Sequence, residues 1–370
     1  MSISYLNNIF NIKNQKGELM KTLKFGIVGA VAIAHSCCAA INKHEKAKVV
    51  AASDPSAERL KDLKDKNGIQ ATYETNEALF ADKDVDAVYI AVPNKFHAPL
   101  AIAALKAGKH VILDKPFALS LKEAEEVATV AKAKGLVFTV GMNQRFEPGV
   151  QKARALIKSG QLGEIYHAKG FWFRRSGIPK FGTWFCRKDI AGGGVMLDIG
   201  VHLLDATLYV LDNFEPISVS GQTYTKFGSR GLGEGGWGMS DAAEKVFDVD
   251  DFSTALIKLK GGVTVSIDVS WAIHQKEPNR MDVQVYGTEG GAVCYGQEQY
   301  KYGEGKGVYQ VNQGLDSTME FAHKDRFHNF INHILDGEAL CNTVEQALAV
   351  QKILDGIYES SATGKEVRFK

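Results

Sequence analysis

At 370 residues the chain exceeds what one ordinary core accommodates, so two domains are expected. Hydrophobic residues make up 45% and charged residues 24%, with 44 basic against 43 acidic side chains and a formal net charge of +1. That balance is ordinary for a soluble globular protein; it contains no basic stripe, so a nucleic-acid partner is not expected.

In chain order, residues 1–19 carry a short apolar patch broken by Asn7, Asn8 and Asn11, without the basic start and unbroken apolar run of a signal peptide. Met20 stands where a second start would be, so residues 1–20 are expected to be a disordered extension. Strand and helix signals then alternate. Strands are predicted over Lys24–Val28, Lys48–Ser53, Val85–Val92, His110–Leu113 and Val137–Val140, and helices over Ile33–Asn42, Arg59–Lys66, Pro99–Ala107 and Ser120–Lys134. Gly108 supplies a left-handed cap, and Ser120 with Glu123 reads as a capping box. This alternation predicts an α/β, doubly wound parallel sheet over 21–143.

After Asn143 the pattern changes. Helices are predicted over Glu147–Ser159, Asp198–Leu211, Phe321–Leu335 and Val344–Glu359. Strands are predicted over Glu164–Arg174, Ile217–Lys226, Phe252–Lys260, Val263–Ala272, Met281–Tyr286 and Ala292–Tyr295. Short glycine-rich connections predict a mostly antiparallel, open sheet in an α+β domain over 144–370, with loops at 228–238 and 303–314.

Five cysteines (Cys37, Cys38, Cys186, Cys294, Cys341) are odd in number and scattered, which predicts reduced thiols and a cytoplasmic protein. His323, His328 and His333 recur every five residues and so spread around a helix; no metal site is expected. No run of 18 apolar residues exists, so no transmembrane helix and no membrane association are expected.

The first strand runs into Gly29-Ala30-Val31-Ala32-Ile33-Ala34, a strand–turn–helix where a dinucleotide pyrophosphate can rest on backbone N–H groups. Gly29 and Ala34 fill the first and third places of G-x-G-x-x-G/A, but Val31 stands in the second, so its side chain must point away or the loop must shift. Asp54, 25 residues after Gly29, ends the second strand, where a carboxylate receives ribose hydroxyls and repels a 2′-phosphate; NAD is expected over NADP. Arg59 nearby argues the other way, and Asp54 beside Pro55 also reads as a helix cap.

Val92-Pro93-Asn94 with His97, Ala107-Gly108-Lys109-His110-Val111 and Asp114-Lys115-Pro116-Phe117 resemble the Gfo/Idh/MocA oxidoreductases, relatives of glucose–fructose oxidoreductase and inositol dehydrogenase. So do Asn143-x-Arg145-Phe146-x-Pro148, Gly160-x-Leu162-Gly163-Glu164-Ile165 and Gly192-Gly193-Gly194-x-x-x-Asp198-x-Gly200-x-His202-x-x-Asp205. The resemblance covers Lys24 to Lys370 and departs at Asp114, where Glu is usual, and at Val31. It implies an NAD-dependent oxidoreductase acting on a CH–OH carbon of a sugar, glycoside or inositol. Lys115, Asp198 and His202 would be its catalytic set, and cofactor contacts would come from the turn, Asp54, Arg59, Pro93, Asn94, His97, Asp114, Lys115, Asn143 and Trp184.

Taking hydride from a secondary alcohol requires a base for the hydroxyl proton. His202 suits that role, with Asp198 one helical turn before it to orient the ring or bind a hydroxyl. Lys115 can polarise the oxygen, and either it or His202 can exchange the proton. Arg174, Lys188 and Trp271 are candidate substrate contacts alongside Lys115, Asp198 and His202, with His274 as an outside candidate. A similar run of arginine, aromatics and lysine occurs in family members acting on pyranosides, including glycoside 3-dehydrogenases. The alternatives are a keto-sugar reductase and a non-catalytic NAD-binding regulator. The open face of the second sheet predicts a homodimer or homotetramer.

Overall fold

The computed structural model describes residues 22–240, 245–302, 309–315, 317–321 and 325–370; the extension expected over residues 1–20, His323 and residues 303–308 of the second glycine-rich stretch lie outside them. Two compact units emerge, one reaching Met142 and including Asp325–Leu348, the other comprising Asn143–Lys324 and Ala349–Lys370. The sequence places residues 325–348 in the second domain; the fold groups them with the first. Helix Arg326–Asp336 packs there through Phe330 on Phe25 (ring centroids 6.0 Å) and Phe327 edge-on to Tyr89 (5.2 Å).

In the first unit six parallel strands, β1 (Leu23–Val28), β2 (Ala47–Ser53), β3 (Ala71–Tyr73), β4 (Ala87–Ile90), β5 (His110–Leu113) and β6 (Phe138–Val140), form one sheet in the order β3-β2-β1-β4-β5-β6. Chain order reverses between β1 and β4, the place where doubly wound sheets open a crevice beyond their strand ends. Buried runs such as Ala87–Ile90 and His110–Leu113 reflect helices on both faces. Ser120 caps helix Leu121–Lys134 by accepting from Glu123 N, while Glu123 reaches back to Leu119 N, one residue before the expected capping-box partner. Lys109 is fully buried, its ammonium donating to the carbonyls of Asp82 (2.6 Å) and Val85 (2.7 Å), so this family-motif lysine is structural.

The second unit holds nine strands: β7 (Ile165–Arg174), β8 (Pro216–Tyr224), β9 (Phe252–Leu259), β10 (Thr264–Ser270), β11 (Asn279–Gly287), β12 (Gly291–Val293), β13 (Glu298–Tyr302), β14 (Tyr309–Gln313) and β15 (Val367–Arg368). Their order is β14-β13-β12-β11-β7-β10-β9-β8-β15, antiparallel throughout except where β7 meets β10. β14 corrects the expectation of a loop over 303–314: Tyr309–Gln313 pairs with β13. Helix Val201–Leu211 packs on one face, close enough that a Cβ on Gly170 would lie 2.9 Å from Thr207 Oγ1. Arg145 and Asp205, both fully buried, pair bidentately at 2.8 and 2.6 Å and fix this helix to the turn Asn143–Phe146. The stretch Lys188–Leu211 is long and apolar enough to cross a membrane by length and composition, but 94% of its apolar window is buried.

Candidate active site

In the first unit β1 ends in Gly29, whose φ of +97° and 2.2 Å approach of a built Cβ to Ala91 O exclude any other residue without rearrangement. The turn then enters helix Ala32–Asn42 with no side-chain cap at Val31 and no acidic residue in the first turn. An uncapped helix start presents N–H groups and positive dipole to an anion, which fits a pyrophosphate. Val31 is half-buried and packs against the apolar cluster of the first unit, while Ala32 and Ile33 are exposed beside it.

Asp54 is 3% exposed and ties this turn to the next loop. Its Oδ2 accepts from Ala30 N at 2.8 Å, and its Oδ1 accepts from Ser56 N at 2.8 Å and from Arg59 Nε and Nη2 at 3.0 and 2.7 Å. The helix cap is Ser56, not Asp54. Oδ1 is saturated; Oδ2 keeps acceptor capacity for a ribose hydroxyl. Arg59 is drawn onto Asp54.

Lys115 sits between two anchored neighbours. Asp114 Oδ2 accepts from the Tyr89 hydroxyl at 2.8 Å, and Oδ1 from Lys115 N at 2.9 Å and Arg326 Nη1 at 3.3 Å. Burial pushes the Asp114 carboxyl up, but Arg326 first, then Lys115 and the Tyr89 hydroxyl, outweigh it and hold the group below the usual carboxylate range. On the other side Pro116 O lies 2.6 Å from His97 Nδ1, and His97 Nε2 lies 2.9 Å from Val92 O. Both ring nitrogens of His97 therefore face backbone carbonyls, which makes it a clamp for the loop. Asn94 is buried in its turn and Pro93 half-buried.

In the second unit a cavity of about 420 Å³ is lined by Asp198, His202, Arg174, Trp172 and Trp237, with Ser176, Gly177, Ile199 and Gly235 completing its wall. Asp198 stands in a π-helical turn, Met196–Gly200, that leads into helix Val201–Leu211, and the wider turn is of the kind often found at functional sites. Asp250, buried, accepts from Gly194 N (2.7 Å), Met196 N (3.0 Å) and Tyr358 OH (2.8 Å), which fixes the glycine turn before it. Arg174 lies over the rings of Trp172 (4.7 Å) and Trp237 (6.0 Å). Burial pulls its guanidinium below the ordinary value, and Asp198 pulls the other way. The Trp172 and His202 rings are 6.5 Å apart.

Trp271 is fully buried, so it cannot offer a face to a sugar as the sequence suggests. Instead its Nε1 donates to Asp198 Oδ2 at 2.9 Å. Lys188 is exposed, with its backbone N bonded to Asp248, and it does not line the cavity; neither does Trp184, stacked on Phe185 at 3.8 Å between centroids. His274 packs against Phe227 (5.1 Å), and Asn143 is exposed. Sequence reasoning misses Trp237. The loop that carries it zips onto residues 176–180 through Ile178 N to Gly233 O (2.9 Å), Gly235 N to Ile178 O (2.7 Å) and Trp237 Nε1 to Gly177 O (2.8 Å). Glycines around a single tryptophan were the one available signal.

The pattern described as the oxidoreductase family with NAD-binding Rossmann fold (GFO_IDH_MocA) matches residues 23–142, and the GFO/IDH/MocA C-terminal domain matches residues 150–293. The chain is 28% identical to D-glucoside 3-dehydrogenase of Escherichia coli K12, over 93% of this chain and 97% of that protein. It is 30% identical to levoglucosan dehydrogenase of Pseudarthrobacter phenanthrenivorans, over 85% of this chain and 87% of the relative. An NAD-binding protein from Listeria innocua superposes with a TM-score of 0.78 at 27% identity, covering 94% of this chain and 97% of its own.

Proposed function

Because this chain belongs to the Gfo/Idh/MocA oxidoreductase family, whose first unit is an NAD-binding Rossmann fold, we propose that it moves a hydride between nicotinamide and a secondary hydroxyl or keto carbon of a sugar, glycoside or inositol, with a pyranoside C3 hydroxyl preferred. The observation that carries this reading is one cavity in which Asp198 and His202 meet Arg174 and two indoles. Indole faces suit the C–H faces of a sugar ring; a carboxylate and a guanidinium suit its hydroxyls.

When bound, NAD supplies the hydride acceptor. On this reading the Gly29 turn holds the pyrophosphate and Asp54 the ribose. His202 takes the hydroxyl proton on its imidazole, Asp198 orients the ring or a neighbouring hydroxyl, and Lys115 stabilises charge developing on the reacting oxygen. Such a positioned base contributes about 10²–10⁴-fold. The similarity to a D-glucoside 3-dehydrogenase favours the pyranoside over an inositol. All five cysteines are free thiols, which suits a cytoplasmic protein. Tyr286, Leu256 and Val311 are exposed on the second sheet, which suits a homodimer or homotetramer built on it.

The test is NADH formation from NAD with a panel of alkyl glucosides, free aldoses and inositols. The reading expects turnover with glucosides and a keto product at C3. NAD binding without turnover on any member would leave a non-catalytic regulator in its place.

A further inference from the structure

Arg326 opens helix Arg326–Asp336, 212 positions from Asp114, and no motif links the two. Its guanidinium nevertheless converges on the loop that carries Lys115. Nη1 donates to Asp114 Oδ1 (3.3 Å) and to the Gly141 carbonyl, and Nη2 donates to the Tyr89 hydroxyl (3.1 Å) and Cys37 Sγ (3.7 Å). The side chain is 13% exposed, and its Cζ lies 5.5 Å from the Tyr89 ring centre. Gly141 makes room for it: a Cβ there would lie 2.9 Å from Nη1.

We propose that Arg326 is a positioning residue for hydride transfer, holding the Asp114 carboxylate against Tyr89 so that the adjacent Lys115 ammonium serves the substrate and not its own neighbour. This rests on the reading of Lys115 as a catalytic group. A carboxylate and an ammonium on consecutive residues attract each other wherever no stronger partner intervenes. Arg326 is that partner, since it is the largest cationic influence on Asp114, ahead of Lys115. His97 secures the other side of the lysine through Pro116 O, so the loop is held at both ends. Without Arg326, Asp114 loses its strongest compensating charge, and Lys115, already the next cationic influence on it, becomes the largest.

The experiment compares Arg326→Gln, Asp114→Asn and the double variant in full-length protein, reading kcat, the KM for NAD and thermal stability. R326Q is expected to lower kcat about tenfold or more, as sub-ångström to ångström misplacement of a catalytic group does, with the KM for NAD within about twofold. Adding D114N removes the competing negative charge and is expected to return part of the lost kcat. A merely structural arginine gives the opposite pattern, a double variant as slow as R326Q or slower, and that result overturns the proposal, as does an R326Q enzyme with unchanged kcat. Should R326Q not fold, Tyr89→Phe removes the hydroxyl on Asp114 Oδ2 while keeping the ring, and the same comparison with and without D114N applies. Lys115→Met separates the two levels: retained turnover there defeats the catalytic reading itself, whereas lost turnover there with an unaffected R326Q defeats this inference alone.

Discussion

Replacing Trp271 by Phe removes one N–H from Asp198 and leaves most of the buried ring volume. The bond is 2.9 Å long, its donor is fully buried, and its acceptor is a 9% exposed carboxylate lining the cavity. A hydrogen bond to a charged group is worth about 1.5–3 kcal/mol. At about 1.4 kcal/mol per tenfold, full expression of that energy in the transition state means a loss of about 10- to 100-fold in kcat/KM for the sugar. The smaller ring also leaves a void, with a stability cost of about 1–3 kcal/mol by the usual rule for lost core volume. Steady-state kinetics with a turned-over glycoside, beside NAD titration and thermal melts, separates the two effects. A lower melting temperature with kcat/KM within twofold would show that Trp271 is core alone and that Asp198 needs no help.

Burial, with His333 adding to it, pushes His110 down to about 4 from its ordinary 6.5, and its Nδ1 already accepts from Val137 N at 3.1 Å. The folded pKa is depressed, so the unfolded chain binds the extra proton first and stability falls as pH drops from 6.5 toward about 4, by about 3 kcal/mol in all. Urea midpoints across that window should show the slope, and His110→Phe should flatten it. Gly29→Ala forces a Cβ to 2.2 Å from Ala91 O at a φ of +97°, and is expected to weaken NAD binding at least about tenfold in a fluorescence titration because the turn must open. Asp54→Ser frees Arg59 from its two contacts and should raise the NADP-to-NAD ratio of kcat/KM by about tenfold or more.

The first sheet was readable because its strands are short apolar runs closed by glycine, proline or aspartate, and β5 begins and ends where the run of His110–Leu113 does. β3 and the helix Asn76–Ala81 were not, since three residues at one edge and six in a single short helix carry no period. The catalytic candidates were visible as ordered motifs, but the roles of their neighbours were not. Trp271 follows a strand, where an indole reads alike whether it faces solvent or lies behind Asp198; its contact is 73 positions away. Arg326 looks like any helix-opening basic residue until the chain brings it to Asp114. Val31 breaks a glycine pattern on paper, and only the fold shows that it packs in part against the apolar cluster of the first unit.

The most direct test of the account replaces His202 by Asn and follows NADH formation at saturating NAD and glycoside. Loss of the base should cut kcat by about 10²–10⁴-fold, restored in part by raising pH, while NAD affinity stays within about threefold. An H202N enzyme that turns over at the parental rate would contradict it.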